Sequence, residues 1–365
     1  MSEPIWSILL PTHNRKETLL LAIESVLMQQ EKSFEILVVA DGCTDGTAKF
    51  VNDIQDSRVR LLNLPKAPHF GYANRNTALK MCQGNFIAFM AHDDIWLPDH
   101  LSILGEVLKE PDIDLVYSRP TWVTPEGMVF PLPFNLEEEQ CLSEFLDIKV
   151  NFIPASNVVH KRECFSGVGY WNESLQRYGD WDMWARIIKS KPHRNFRYIP
   201  ETTNLHFRAI WKTEESEGPK VMKDWRNLFA KLKNIPPEVN TPFPSGILEQ
   251  KFFLSNLKSL DHNYITRLRS AISALIDLKA AHDTIELAKL RSEAKVNSEI
   301  RDECILLKTE NHSLLIRLKE IEGSLANLVI LQLRMVLEKL APIGSKRRDT
   351  IRKVLRNRLG LKPES

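Results

Sequence analysis

An α/β fold with a mainly parallel sheet, followed by a helical extension, is the architecture this sequence predicts. Short apolar runs alternate with amphipathic stretches over roughly the first 200 residues, the βαβα rhythm of a parallel sheet. Polar clusters follow directly on three of those runs: "THNR", "DGCTDG" and "HDD". From residue 248 the composition turns helical, rich in Leu, Lys, Glu and Ala.

Taken in order, "IWSILLP" (5–11) reads as a buried strand ended by Pro11, and "ETLLLAIESVLMQQ" (17–30) as a helix. "FEILVVADG" (34–42) is the next buried strand, and Asp45 is an N-cap candidate for a helix over 45–55. "VRLLNLP" (59–65) is a third strand, and "GYANRNTALKMCQG" (71–84) a helix closed by Gly84. "NFIAFMA" (85–91) is a central strand with the carboxylate pair Asp93–Asp94 just beyond it. "PEG" within 114–134 reads as a hairpin turn. In open α/β sheets ligands sit beyond the carboxyl ends of the strands, which is where all three polar clusters fall.

Composition excludes several classes. The chain has 365 residues, 43% apolar and 26% charged, as ordinary globular proteins do. Its five cysteines show no C-x-x-C spacing, against both a disulfide framework and a zinc site. The start, "MSEPIWSILLPTHN", has no basic n-region or long apolar core, and no apolar stretch reaches about 18 residues. A cytoplasmic protein without a membrane span is therefore expected.

"SILLPTHNR", "ILVVADGCTDGT", "FIAFMAHDDIWLPDHL" and "YGDWDMWARI" resemble, in order and spacing, the family 2 glycosyltransferases of GT-A fold. The resemblance covers about residues 5–210 and implies an inverting, metal-dependent transfer of sugar from a nucleotide-diphosphate donor. It implies Asp93 as ligand of Mg²⁺ or Mn²⁺, with His92 at the ribose or phosphate and Asp94 in support. Asp41 matches the residue that bonds the donor base, His13 stands where a ring covers that base, and Pro11 and Thr12 supply backbone contacts. Arg75 is the candidate for the diphosphate and His206 a second candidate near the metal. Asp180 matches the general base, with Asp182 as its competitor. A hard cation shared between carboxylate and phosphates suits a leaving group whose charge grows, and a carboxylate base suits a hydroxyl acceptor. Trp181 and Trp184 are either an acceptor-sugar platform or core. Three positions depart from the pattern: Ala40, Ala91 and Gly179 stand where acids are common. The Q-x-x-R-W signature of processive synthases is absent, which favours single additions.

The expected organisation is a GT-A domain over 1–215, a linker over 216–247 with five prolines, a helical region over 248–340, and a basic tail over 341–365. Residues 300–328 keep a strict heptad, with Asn311 at an a position, which predicts a parallel homodimer; the alternative is a helix packed on its own domain. Residues 345–362 hold eight Lys or Arg against Asp349 alone. With Ile351, Val354, Leu355 and Leu359 at helical spacing, they read either as an element on the inner membrane surface or as a solvated helix. No nucleic-acid module accompanies the charge, so no nucleic-acid partner is expected. The functional expectation is a non-processive glycosyltransferase acting on a glycan or lipid-linked acceptor. The alternative is a degenerate GT-A domain that binds or scaffolds; a nucleotidylyltransferase lacks its Gly-rich phosphate loop here.

Overall fold

The computed structural model describes residues 4–207 and 220–308, apart from 233, 245, 260 and 262, with side chains described as far as residue 291. The chain divides into two units, Met1–Ala280 and Ala281–Ser365.

In the first unit the strands are β1 (Trp6–Thr12), β2 (Phe34–Asp41), β3 (Val59–Leu64), β4 (Phe86–Phe89), β5 (Ile95–Trp96), β6 (Leu115–Ser118), β7 (Thr121–Val123), β8 (Val129–Pro131), β9 (Val158–Lys161), β10 (Phe196–Ile199) and β11 (Asn204–Phe207). The helices are α1 (Lys16–Leu27), α2 (Thr47–Asn52), α3 (Tyr72–Leu79), α4 (His100–Leu108), α5 (Glu139–Leu146), α6 (Cys164–Val168), α7 (Gly179–Lys189), α8 (Lys220–Lys231), α9 (Glu249–Lys258) and the start of α10 (Tyr264–Lys308). Seven strands form one sheet in the order β10-β6-β9-β4-β1-β2-β3. It is parallel except for β9, which runs antiparallel to both β4 and β6. The expected mainly parallel α/β sheet is therefore present. A second sheet has the order β5-β11-β7-β8.

The hydrophobic runs explain the layering. β1 and β2 are buried on both faces, as parallel strands covered by helices must be. Ile8, Leu10, Ile36 and Val38 pack with Leu19, Ile23 and Val26 of α1 and Leu101 and Leu104 of α4 on one face. Leu9, Leu37 and Val39 pack with Ala78 and Leu79 of α3 and Met183, Trp184 and Ile187 of α7 on the other. The "PEG" turn does join an antiparallel hairpin, β7 to β8. A third cluster joins that hairpin and β11 to α8, α9 and α10 through Phe130, Trp225, Phe253, Leu268 and Leu275.

Three local readings are corrected. Asp45 is not itself the cap of α2: Gly46 holds that position in the left-handed region (φ 84°), and Asp45 accepts N–H bonds from Lys16 and Thr47, each at 3.1 Å. It thereby links the first turns of α1 and α2. Gly84 does not cap α3, which ends at Leu79. A side chain at Gly84 would meet the Ser7 nitrogen at 2.5 Å, so close approach to β1 requires glycine there. Finally, the segment read as a linker contains α8, whose Met222, Trp225 and Leu228 are buried.

The second unit is described only by the remainder of α10, on which Ile285 and Leu290 are exposed. Residues 300–308 belong to that helix, but the rest of the heptad and the basic tail lie outside the described residues. Among the described residues no helix is long and apolar enough to cross a membrane.

Candidate active site

The sheet places the three polar clusters side by side. β4, β1 and β2 are adjacent and parallel, with Thr12 in register with Ala40 and Leu9 with Phe89, so their carboxyl ends open on one edge. Two imidazoles lace these ends together. His13, exposed at the rim, donates from Nδ1 to the Asp41 carbonyl at 2.7 Å. His92 Nδ1 lies 3.3 Å from the Pro11 carbonyl, spanning β4 and β1. Pro11, Thr12, His13, Asp41, His92 and Asp93 thus converge as expected. The Thr12 hydroxyl oxygen is buried with no hydrogen-bond partner among the described residues.

Asp41 is tightly held. Its Oδ1 accepts from the Ala67 N–H at 2.7 Å and the Asn74 amide at 2.6 Å, and Lys66 pairs with Oδ2. Burial pushes the carboxyl pKa up, but the Ala67 N–H, the Lys66 ammonium and the Asn74 amide outweigh it, and the net shift is downward. A side chain at Gly71 (φ 72°) would meet Asp41 Oδ2 at 2.6 Å, so glycine is needed where α3 starts.

Helix α3 then distributes three consecutive residues to three tasks, because successive side chains on a helix point about 100° apart. Asn74 holds Asp41. Asn76 donates to the Trp171 carbonyl and to Glu173, each at 2.8 Å, and accepts from the Trp171 N–H at 3.0 Å, fixing the segment that leads to α7. Arg75 lies between. Its guanidinium stands 4.9 Å from the Trp171 ring centroid and 5.5 Å from that of Tyr72, and its Nε is buried without a partner among the described residues. Burial lowers its pKa, while the fields of Asp180, Tyr72 and Asp41 raise it, so this cation feels both carboxylates.

Asp180 occupies the first turn of α7. Burial raises its pKa, against the opposing pull of the Trp181 N–H and the Arg75 charge. Asp182 has a different partner: its Oδ2 accepts from Arg186 Nε at 3.0 Å and Nη2 at 2.8 Å, the i,i+4 pairing of a helix. Trp181 and Trp184 are buried in the core, which removes them as a sugar platform. The exposed ring at this point is Tyr178, 58% exposed, with Phe70 at 54% on the loop before α3. The Gly179 departure has a steric cause. A side chain there would come within 2.6 Å of the Tyr72 ring, whose hydroxyl accepts the Gly179 N–H at 3.0 Å.

His206 reaches the HDD loop through the second sheet. β11 pairs antiparallel with β5, Asn204 opposite Trp96 and Leu205 opposite Ile95, and that register carries His206 to Asp94. Its Nδ1–H donates to Asp94 Oδ1 at 2.9 Å, and the Phe207 N–H bonds the same oxygen at 3.3 Å. A carboxylate holding one ring nitrogen sets the tautomer that leaves Nε2 as the acceptor, the arrangement typical of metal-binding histidines. Among the described residues no three His, Cys, Asp or Glu groups form a ready metal cage. A cation shared with a diphosphate needs only one or two protein ligands, and Asp93 with His206 fits that donor set.

Residues 7–167 match the family described as Glycosyl transferase family 2. The chain carries a family 2 glycosyltransferase domain. It is similar to the UDP-Glc:alpha-D-GlcNAc-diphosphoundecaprenol beta-1,3-glucosyltransferase WfgD of Escherichia coli, 37% identical over 119 residues, 33% of this chain and 47% of that relative. It is also similar to the amylovoran biosynthesis glycosyltransferase AmsB of Erwinia amylovora, 24% identical over 56% of this chain and 74% of the relative. The chain spans about half the length of WfgD and of a second Escherichia coli relative, WfaP. Among solved structures, Staphylococcus aureus TarS 1–349 in complex with UDP-GlcNAc aligns over 74% of this chain and 91% of its own, at 14% identity and a TM-score of 0.48.

Sequence reasoning missed Lys66, Tyr72, Asn74 and Asn76. The two asparagines flanking Arg75 in "ANRN" were the available signal, since polar side chains on a half-buried helix need partners.

Proposed function

We propose that this domain transfers a sugar, with inversion at the anomeric carbon, from a nucleotide-diphosphate donor to a hydroxyl of a glycan or lipid-linked acceptor. The observation that carries this reading is Arg75, a half-buried guanidinium whose Nε has no partner among the described residues and which feels the charges of both Asp41 and Asp180. A nucleotide sugar has a matching sequence of parts: base, diphosphate, sugar. Asp41 and His13 meet the base, Arg75 the diphosphate, and Asp180 the hydroxyl that attacks the sugar.

In that step the acceptor oxygen bonds to the anomeric carbon while its proton passes to the Asp180 carboxylate. The bond from the anomeric carbon to the diphosphate breaks, and the nucleoside diphosphate leaves with the electron pair. Asp93 and His206 are the residues that would hold Mg²⁺ or Mn²⁺, which when bound stabilises the charge on that leaving group. The raised pKa of Asp180 makes it a stronger base than an exposed aspartate.

The name of the WfgD relative supports a UDP-sugar donor and a diphosphate-lipid-linked acceptor. Tyr178 and Phe70, exposed beside Asp180 and Tyr72, offer apolar faces for an acceptor pyranose. Dimerisation through the 300–328 heptad and contact of the basic tail with an anionic membrane surface belong to the same proposal, and they suit an acceptor carried on lipid.

Thermal shifts with UDP-, GDP- and dTDP-sugars, with and without Mn²⁺, identify the donor. Transfer assays on wild type, Asp93→Ala and Asp180→Asn follow. Loss of turnover in both variants is expected. Undiminished turnover in both overturns the site, and donor binding with no transfer or hydrolysis favours a binding or scaffold domain.

A further inference from the structure

We propose that Gln250 of α9 is a positioning residue for the Asp93 loop, so that a helix outside the family-matched segment takes part in forming the site. The identity of the ligand rests on the transferase reading above; the geometry does not.

Gln250 Nε2 donates to the Asp93 carbonyl at 3.1 Å, and both residues are 2% exposed. In the loop between β4 and β5 the Met90 N–H bonds the Leu9 carbonyl at 2.9 Å, and the Asp94 N–H closes a turn on the Ala91 carbonyl at 3.3 Å. Side chains from other segments hold it as well. Ser156 Oγ accepts the Ala91 N–H at 2.9 Å, His92 reaches β1, and Asp94 is bonded by β11. Gln250 supplies the hold on Asp93 itself. Its helix is a firm support, because Phe253 and Leu254 are buried in the third cluster and Lys258 pairs with Glu24 of α1 at 2.6 Å.

The other end of the amide argues that the hold, not packing, explains the residue. Gln250 Oε1 is buried and has no hydrogen-bond partner among the described residues. A buried amide satisfied at one end is a poorer core residue than an apolar side chain of the same shape. Packing alone would favour Met at this position. Among the described residues, the gain specific to glutamine is the bond to Asp93.

The test is Gln250→Met in the full chain, read in two ways. Hydrogen exchange resolves residues 91–96, and calorimetric titration measures Mn²⁺ binding to the UDP-saturated protein. The expected result is faster exchange confined to 91–96, an unfolding temperature equal to or above that of wild type, and Mn²⁺ binding weakened about tenfold. Wild-type exchange in 91–96 with wild-type binding overturns the proposal. So does a lowered unfolding temperature with exchange gained throughout α9, which marks plain packing. If wild type itself binds no Mn²⁺ with UDP, GDP or dTDP while exchange in 91–96 still rises, the metal-site reading falls and the positioning role stands. Should the Met variant fail to fold, Gln250→Asn keeps an amide one methylene short. It is expected to fall between wild type and full loss, and equality with wild type overturns the proposal.

Discussion

The two ends of the candidate site are built on opposite principles. At Asp41 the charge is enclosed by an ammonium, a backbone N–H and an amide, and its pKa is driven down. At Arg75 and Asp180 the charges feel each other without a direct ion pair among the described residues, Arg75 Nε is unpartnered, and burial pushes both pKa values toward neutrality. Satisfied charges make a wall, whereas incompletely satisfied ones mark where a ligand's own charges and protons are to be received. The first end should therefore respond to mutation mainly in stability and the second mainly in catalysis.

Asp180→Asn is the severest trial of that contrast. Removing the proposed general base is expected to lower kcat by about 10²–10⁴-fold while the chain remains folded by circular dichroism. Because the Asp180 pKa is raised, the acid limb of the wild-type pH–rate profile is expected above the ordinary aspartate value of 3.8. Asp93→Ala comes next, with a loss of roughly a hundredfold or more in kcat/KM and of the response to Mn²⁺. Arg75→Ala should weaken UDP binding by roughly ten- to a hundredfold, the size of a charge-assisted bond, with a small change in unfolding midpoint. Asp41→Asn should instead lower stability at pH 7 by about 1–3 kcal/mol, read by urea unfolding. The sign follows from the depressed pKa: the wild-type advantage is full above the unfolded value and disappears as pH falls through the folded value, below 3.8. If Arg75→Ala proved as destabilising as Asp41→Asn, the contrast between the two ends would be lost. Tyr178→Ala is the smallest effect, an increase of a few-fold in acceptor KM at constant donor KM, roughly the value of one aromatic contact.

The strand ends were legible because apolar runs and the residues that stop them are local facts. "SILLPTHN", "ILVVADG" and "FIAFMAHDD" carry both the strands and the first residues of the cleft. Asp180 could be named only through the resemblance of "YGDWDMWARI" to the family's acidic segment. What stayed hidden depends on contacts between distant segments. Asp94 meets His206 only through the β5–β11 register, Asp41 meets Lys66 only once β3 lies beside β2, and nothing local says that Gln250 faces Asp93. Prolines misdirected the reading of 216–247, since they bound α8 and do not interrupt it. Gly84, read as a helix end, and Gly179, a departure from the family pattern, share a reason: each is glycine because another part of the chain, β1 or Tyr72, occupies the space of a side chain.

The third hydrophobic cluster carries a consequence for what counts as the smallest cooperative piece of this protein. It is assembled from β7, β8 and β11 on one side and from α8, α9 and the start of α10 on the other, with Trp225, Phe253 and Leu268 nearly or wholly enclosed. Arg269 of α10 also clamps Asp99, just after the HDD loop and β5, through two bonds of 2.7 and 2.8 Å. A chain cut at the end of the family-matched segment would strip these partners away and leave one face of the second sheet wet. The compact unit that holds this cluster runs to Ala280, well beyond residues 7–167 that are recognised by similarity.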